Sequence, residues 1–215
     1  MRQRHNPLLA AVAALALAGA GALAACGDAE DEGVADAGSP ATVDPEGDAN
    51  ATDLMFVQMM IPHHEQAVVM SDDALEISED ETVRGLAEDI RAAQQPEIDL
   101  MLGWLDDWGV PAMMGGDRMG DGMGPGEGMD HMGHGGMAGM MSEDELEELR
   151  ETTGPEFDRM WAEMMIEHHE GAIDMARDVQ EDGESPDVRE LVDAIVETQQ
   201  AEIDIMEEWL ATNDG

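Results

Sequence analysis

The stretch Met59-Met60-Ile61-Pro62-His63-His64-Glu65-Gln66-Ala67-Val68-Val69-Met70 returns 105 positions later as Met164-Met165-Ile166-Glu167-His168-His169-Glu170-Gly171-Ala172-Ile173-Asp174-Met175. The match extends on both sides: Met55 to Leu105 superposes on Met160 to Leu210 without a gap, with 24 identities in 51 positions. Unrelated sequences would share about three, so the chain contains a duplication. Val83-Arg84-x-Leu86-x-x-x-Ile90 matches Val188-Arg189-x-Leu191-x-x-x-Ile195. Gln94-Gln95-x-Glu97-Ile98-Asp99-x-Met101-x-x-Trp104-Leu105 matches Gln199-Gln200-x-Glu202-Ile203-Asp204-x-Met206-x-x-Trp209-Leu210. Within each copy the apolar positions recur at three and four. Val83, Leu86, Ile90, Ile98, Met101 and Leu105 trace one helical stripe, and Met59, His63, Ala67 and Met70 trace another. Ser78-Glu79-Asp80 and Asp182-Gly183-Glu184-Ser185-Pro186 break the pattern as turns. Each copy therefore reads as a helical hairpin. One hairpin cannot cover its own apolar stripe, whereas two can bury both, so the expected fold is all-α: a four-helix bundle with a pseudo-twofold axis. Ser142-x-x-Glu145 is a capping box that predicts a short extra helix before the second hairpin. Pro62 should remove one hydrogen bond and kink the first helix beside the His pair.

Residues four apart share a helix face, so Met59 and Met60 stand over His63 and His64, and Met164 and Met165 over His168 and His169. The other helix of each hairpin offers Gln94, Glu97 and Met101, or Gln199, Glu202 and Met206, again on one face. Where those faces meet, imidazole, thioether and carboxylate converge. Imidazole suits copper, zinc, iron and nickel, while thioether selects Cu(I), so the mixture points to copper as the cofactor or cargo. Each feature also has a plainer explanation. Met at helical spacing fills cores, and a buried His or Glu can be satisfied by its neighbour, His with Glu included.

Between the hairpins, Pro111 to Met141 holds eleven Gly and nine Met with His131 and His134. No regular element uses that much Gly. The segment reads as a thioether-studded loop, with Met129, His131, Met132, His134 and Met137 as further candidate soft-metal ligands.

At the N-terminus, Arg2 and Arg4 precede an apolar stretch from Leu8 to Ala22, which reads as an export signal, shorter than a membrane span needs. Leu23-Ala24-Ala25-Cys26 resembles the bacterial lipobox, in which Cys26 would be lipidated and tie the chain to a membrane on the extracytoplasmic side. The expected organisation is a lipoprotein signal over 1–25, an acidic tether over 26–51, a hairpin over 52–110, the Met/Gly/His-rich loop over 111–141, and a short helix plus second hairpin over 142–215. Cys26 is the single Cys, so any metal chemistry must use His, Met and carboxylates. Fifty-one Asp and Glu against nine Arg and no Lys give a net charge of −42, which excludes nucleic acid as a partner. An aromatic content of 3% with no Tyr argues against a β-sandwich or barrel.

The paired Met-Ile-x-His-His-Glu-x-Ala-x-x-Met segments, each followed by Gln-x-x-Glu-Ile-x-x-Met-x-x-Trp-Leu, resemble the bacterial DUF305 family over about Thr52 to Leu210. The resemblance implies an exported bundle of the ferritin-like group, some of whose members bind copper in the periplasm or at the cell surface. The chain lacks the Glu-x-x-His of di-iron bundles, which speaks against a ferroxidase or oxygenase. The leading expectation is a lipid-anchored extracytoplasmic protein, not an enzyme, that buffers or sequesters Cu(I) or Cu(II). A metal-transfer protein partner would be unidentified. The alternatives are a structural or partner-binding bundle without metal, and a metal-dependent oxidase.

Overall fold

The computed structural model describes residues 49–112 and 138–213. All regular structure among them is helical: α1 (Ala51–Ile77), α2 (Glu81–Asp107), α3 (Glu143–Glu151), α4 (Pro155–Asp182) and α5 (Pro186–Asn213). The sites expected at Cys26, Met129, His131, Met132, His134 and Met137 lie outside the described residues, as do the signal and nearly all of the tether. None of the described helices is long and apolar enough to cross a membrane.

Sequence punctuation sets each helix end. Asn50 opens α1 with a capping box, its side chain accepting from the Thr52 and Asp53 amides while the Asp53 carboxylate accepts from the Asn50 amide. Asp80 caps α2 by accepting from the Thr82 and Val83 amides. Pro155 occupies the first turn of α4, where its missing N–H costs nothing. The box at Ser142 and Glu145 forms as its spacing predicts and opens the nine-residue α3. Replacing Ser142 by Ala should cost about 1 kcal/mol of unfolding free energy, read by urea denaturation, because so short a helix depends on its cap. Pro62 and Pro96 lie inside α1 and α2, and neither ends its helix.

The duplicated hairpins are α1 with α2 and α4 with α5, and α1 packs against α4 to join them. Antiparallel pairing follows from which halves share a core. One apolar cluster takes Met70 and Ala74 late in α1, Val83 to Ile90 early in α2, Phe157 to Met165 early in α4, and Ile203 and Met206 late in α5. The other takes Phe56 to Ile61, Ile98 to Leu105, Ala172, Ala176 and Val179, and Val188 to Ile195. Trp161, fully buried in the first cluster, donates its indole N–H to the Met70 carbonyl at 2.9 Å. Between the clusters, at the middle of every long helix, the buried residues are polar: His63 and His64 in α1, Gln94 in α2, His168 and His169 in α4, Gln199 in α5.

One expectation shifts by a residue. Met60, with the stripe expected through Met59, is the side chain in the core, and Met59 is only half-buried. Both His63 and His64 turn inward, so the centre of the buried face passes between them. That brings Met60 inside and leaves Met59 on its edge, and Met164 and Met165 repeat the pattern.

Candidate metal centre at the bundle midplane

Burying imidazoles is costly unless each polar nitrogen finds a partner. Here the partners come from the facing helix of the same hairpin. His64 Nε2–H donates to Glu97 Oε2 at 2.8 Å, and His169 Nε2–H donates to Glu202 Oε2 at 2.8 Å. The carboxylate fixes the tautomer, because an acceptor-only group requires the proton on Nε2. The two remaining imidazoles meet on the pseudo-twofold axis. His63 and His168 are matched residues, and their ring centroids are 3.8 Å apart at an interplanar angle of 40°. His63 Nε2–H donates to the Ala138 carbonyl at 3.1 Å.

These bonds leave a consistent remainder. Among the described residues, eleven buried side-chain nitrogen and oxygen atoms have no hydrogen-bond partner, and nine belong to this layer. They are Nδ1 of His63, His64 and His169, both ring nitrogens of His168, and both amide atoms of Gln94 and of Gln199. These atoms form one layer of donors and acceptors that a water or an ion bound between the helices would satisfy. Electrostatics keeps the two axial imidazoles unprotonated. Burial, then the neighbouring His64, pushes the His63 pKa down from 6.5 to about 3. Burial, then His63, holds His168 well below 6.5. Both rings are therefore neutral at physiological pH, with lone pairs available.

Met60 and Met165, one turn before His64 and His169, and Met101 and Met206, one turn after Glu97 and Glu202, are all fully buried. Among the described residues, no three His, Cys, Asp or Glu side chains already surround one point. The nitrogens offered are those of single imidazoles, with sulfur from Met as the other donor type at hand, a set suited to a soft ion that accepts few ligands.

Sequence reasoning marked His63, His64, Glu97, Met101 and their copies, and the structure brings the His–Glu pairs together. It missed Ala138, whose carbonyl reaches His63 from outside the repeats, and Gln66, which holds the same segment. The signal lay in the repeat itself: within its most similar stretch, position 66 is Gln and its counterpart 171 is Gly.

The DUF305 family, described as a domain of unknown function, matches residues 53–210. Among solved structures, a DUF305 protein of Streptomyces coelicolor, described provisionally as secreted, is 32% identical with a TM-score of 0.64, over 76% of this chain and 94% of that one. A DUF305 fragment from Deinococcus radiodurans is 33% identical with a TM-score of 0.64, over 77% and 99%. CopM in its Cu(II)-bound form is 34% identical with a TM-score of 0.58, over 74% and 96%, and its Cu(I)-bound form 30% identical at 0.58, over 77% and 100%. No protein with a curated function matches the chain.

Proposed function

The chain belongs to the DUF305 family, and from that premise we propose that it is an extracytoplasmic copper-binding protein that buffers or sequesters the ion. The observation that carries the reading is the set of unspent imidazole nitrogens at the bundle midplane, on His63, His64, His168 and His169. Copper seen in CopM supports it. His63 and His168 on the axis, with His64 and His169 beside them, supply nitrogen. Met60, Met101, Met165 and Met206 supply sulfur from within the core, and Met59 and Met164 from its edge. Glu97 and Glu202 orient the flanking imidazoles as carboxylates do behind metal-bound His, which makes them supports in preference to direct ligands. Met129, His131, Met132, His134 and Met137 form a second pool for Cu(I). Lipidation of Cys26, after removal of residues 1–25, holds the protein at the membrane, with 26–51 as tether and 111–141 as loop between the hairpin regions 52–110 and 142–215.

The test is an anaerobic Cu(I) competition titration of the mature protein against a chelator of moderate strength. Replacing the four midplane His by Gln should weaken the bundle site by at least about a hundredfold, and replacing only Glu97 and Glu202 by Gln by about tenfold or more. A parallel variant with the five loop residues replaced separates the two pools. Copper bound no more tightly than by the chelator would sink the reading. So would metal content unchanged by the His replacements, the result expected of a midplane that only satisfies its own polar groups.

A further inference from the structure

Residues Ala138 to Met141 cross the α1–α4 interface directly beside the His63–His168 pair. Three sets of contacts hold them there. Gln66 of α1 clamps the Met141 backbone at both ends, its Nε2–H donating to the Met141 carbonyl at 2.8 Å and its Oε1 accepting from the Met141 amide at 2.7 Å. The Met141 side chain is buried in the apolar cluster below. On α4 the segment lies so close to the helix that a Cβ on Gly171 would meet the Ala138 carbonyl oxygen at 2.1 Å. Gly139, at φ +76°, is equally tight, since a Cβ there would meet the Glu167 carbonyl oxygen at 2.4 Å and the His168 Cα at 3.0 Å. The Ala138 carbonyl so positioned takes the Nε2–H of His63.

The two anchors occupy one repeat position. Gln66 and Gly171 are counterparts in the duplication, inside a stretch where His-His-Glu and the following Ala are the same in both copies. A symmetric pair of residues could not hold a single crossing segment: one side must supply hydrogen bonds and the other must supply room.

We propose that Gln66 and Gly171 are positioning residues that hold Ala138 to Met141 as a strap over the axial histidines, and that release of this strap governs access from solvent to His63 and His168. The proposal rests on the copper reading only for the identity of the natural guest. The strap itself is testable without metal.

Gly171→Ala is the sharpest variant. Ala is a better helix former than Gly, and the three atoms nearest its Cβ all belong to the strap, so α4 should be preserved while the strap is displaced. Gln66→Ala removes the other anchor. In the full-length metal-free protein, hydrogen exchange at the Met141 amide reports strap release. Diethyl pyrocarbonate labelling, mapped by mass spectrometry, reports access to each imidazole. Both variants should speed exchange at Met141 and labelling of His63 and His168 by about tenfold or more. Labelling of His64 and His169, held by Glu97 and Glu202, should change far less. Ag(I) uptake measured by stopped flow should accelerate in the same variants. Faster Met141 exchange with unchanged His63 and His168 labelling would overturn the proposal, and so would a Met141 amide that stays protected in Gly171→Ala. Faster labelling with no silver or copper bound by any form would leave the strap standing and remove the copper reading instead.

Discussion

Metal-free protein moved from about pH 7.5 to about pH 5 is expected to lose about 2 kcal/mol of unfolding free energy through His63, with a further loss of the same sign through His168. The source is the axial pair. In the folded state burial, reinforced by His64, brings His63 down to about 3, and burial with His63 nearby holds His168 well below its ordinary value of 6.5. In the unfolded chain both return to 6.5. As the pH falls through 6.5 the unfolded chain takes up two protons that the folded protein refuses. The contribution is therefore complete above 6.5 and is lost progressively below it, at about 1.4 kcal/mol per pH unit for His63, with His168 adding in the same direction. Asp158 works in the opposite sense, since burial raises its pKa and it gains a proton more readily when folded, but it acts in the carboxylate range below this window. Urea midpoints taken across the range, for the native chain and for His63→Gln with His168→Gln, check the attribution. The double variant should lose most of the slope between pH 6.5 and 5. An equal slope in both would place the acid sensitivity elsewhere.

The same pair shows why part of the molecule was legible in its sequence and part was not. Duplication, three-and-four spacing and turn residues encode the hairpins locally, so helix number, pairing and the Ser142 cap could be read directly. The meeting of His64 with Glu97 was legible as two faces that had to find each other. The meeting of His63 with His168 was not, because it depends on where the pseudo-twofold axis crosses α1 and α4, and no residue within either copy states that. The role of Ala138 was hidden further, since the group that touches His63 is a backbone carbonyl, which every residue type carries. Only its anchors leave a trace in side-chain identity, as the Gln66 and Gly171 mismatch. The edge of the stripe moved for a milder reason: two adjacent inward His shift the centre of the buried face, which brings Met60 inside and leaves Met59 at its margin.

Replacing Asp53 by Ala is expected to cost about 3–5 kcal/mol, although Asp53 lies far from the midplane. Its carboxylate is fully buried, and Oδ2 accepts from three backbone amides: Asn50 at 2.8 Å, Glu184 at 3.0 Å and Ser185 at 3.1 Å. The first closes the N-terminus of α1. The other two belong to the turn between α4 and α5, so one side chain ties the first hairpin to the second. Three charge-assisted bonds are lost together in the Ala variant, and the amides are left with no protein acceptor. The matched residue supplies the control. Asp158 also reaches into the opposite turn, where it accepts from the Ser78 hydroxyl. Its surroundings differ, because burial, with Asp80 and Glu79 nearby, raises its pKa against a single neutral donor that lowers it. Removing that carboxylate relieves a desolvated charge as well as breaking a bond, so Asp158→Ala should cost no more than about 1 kcal/mol near neutral pH. Denaturation of the two Ala variants beside Asp53→Asn decides the matter. Asp53→Asn should fall between the native chain and Asp53→Ala, since it keeps an acceptor but gives up the charge. Equal losses at positions 53 and 158 would mean that both act by filling space, with the three amides contributing nothing particular.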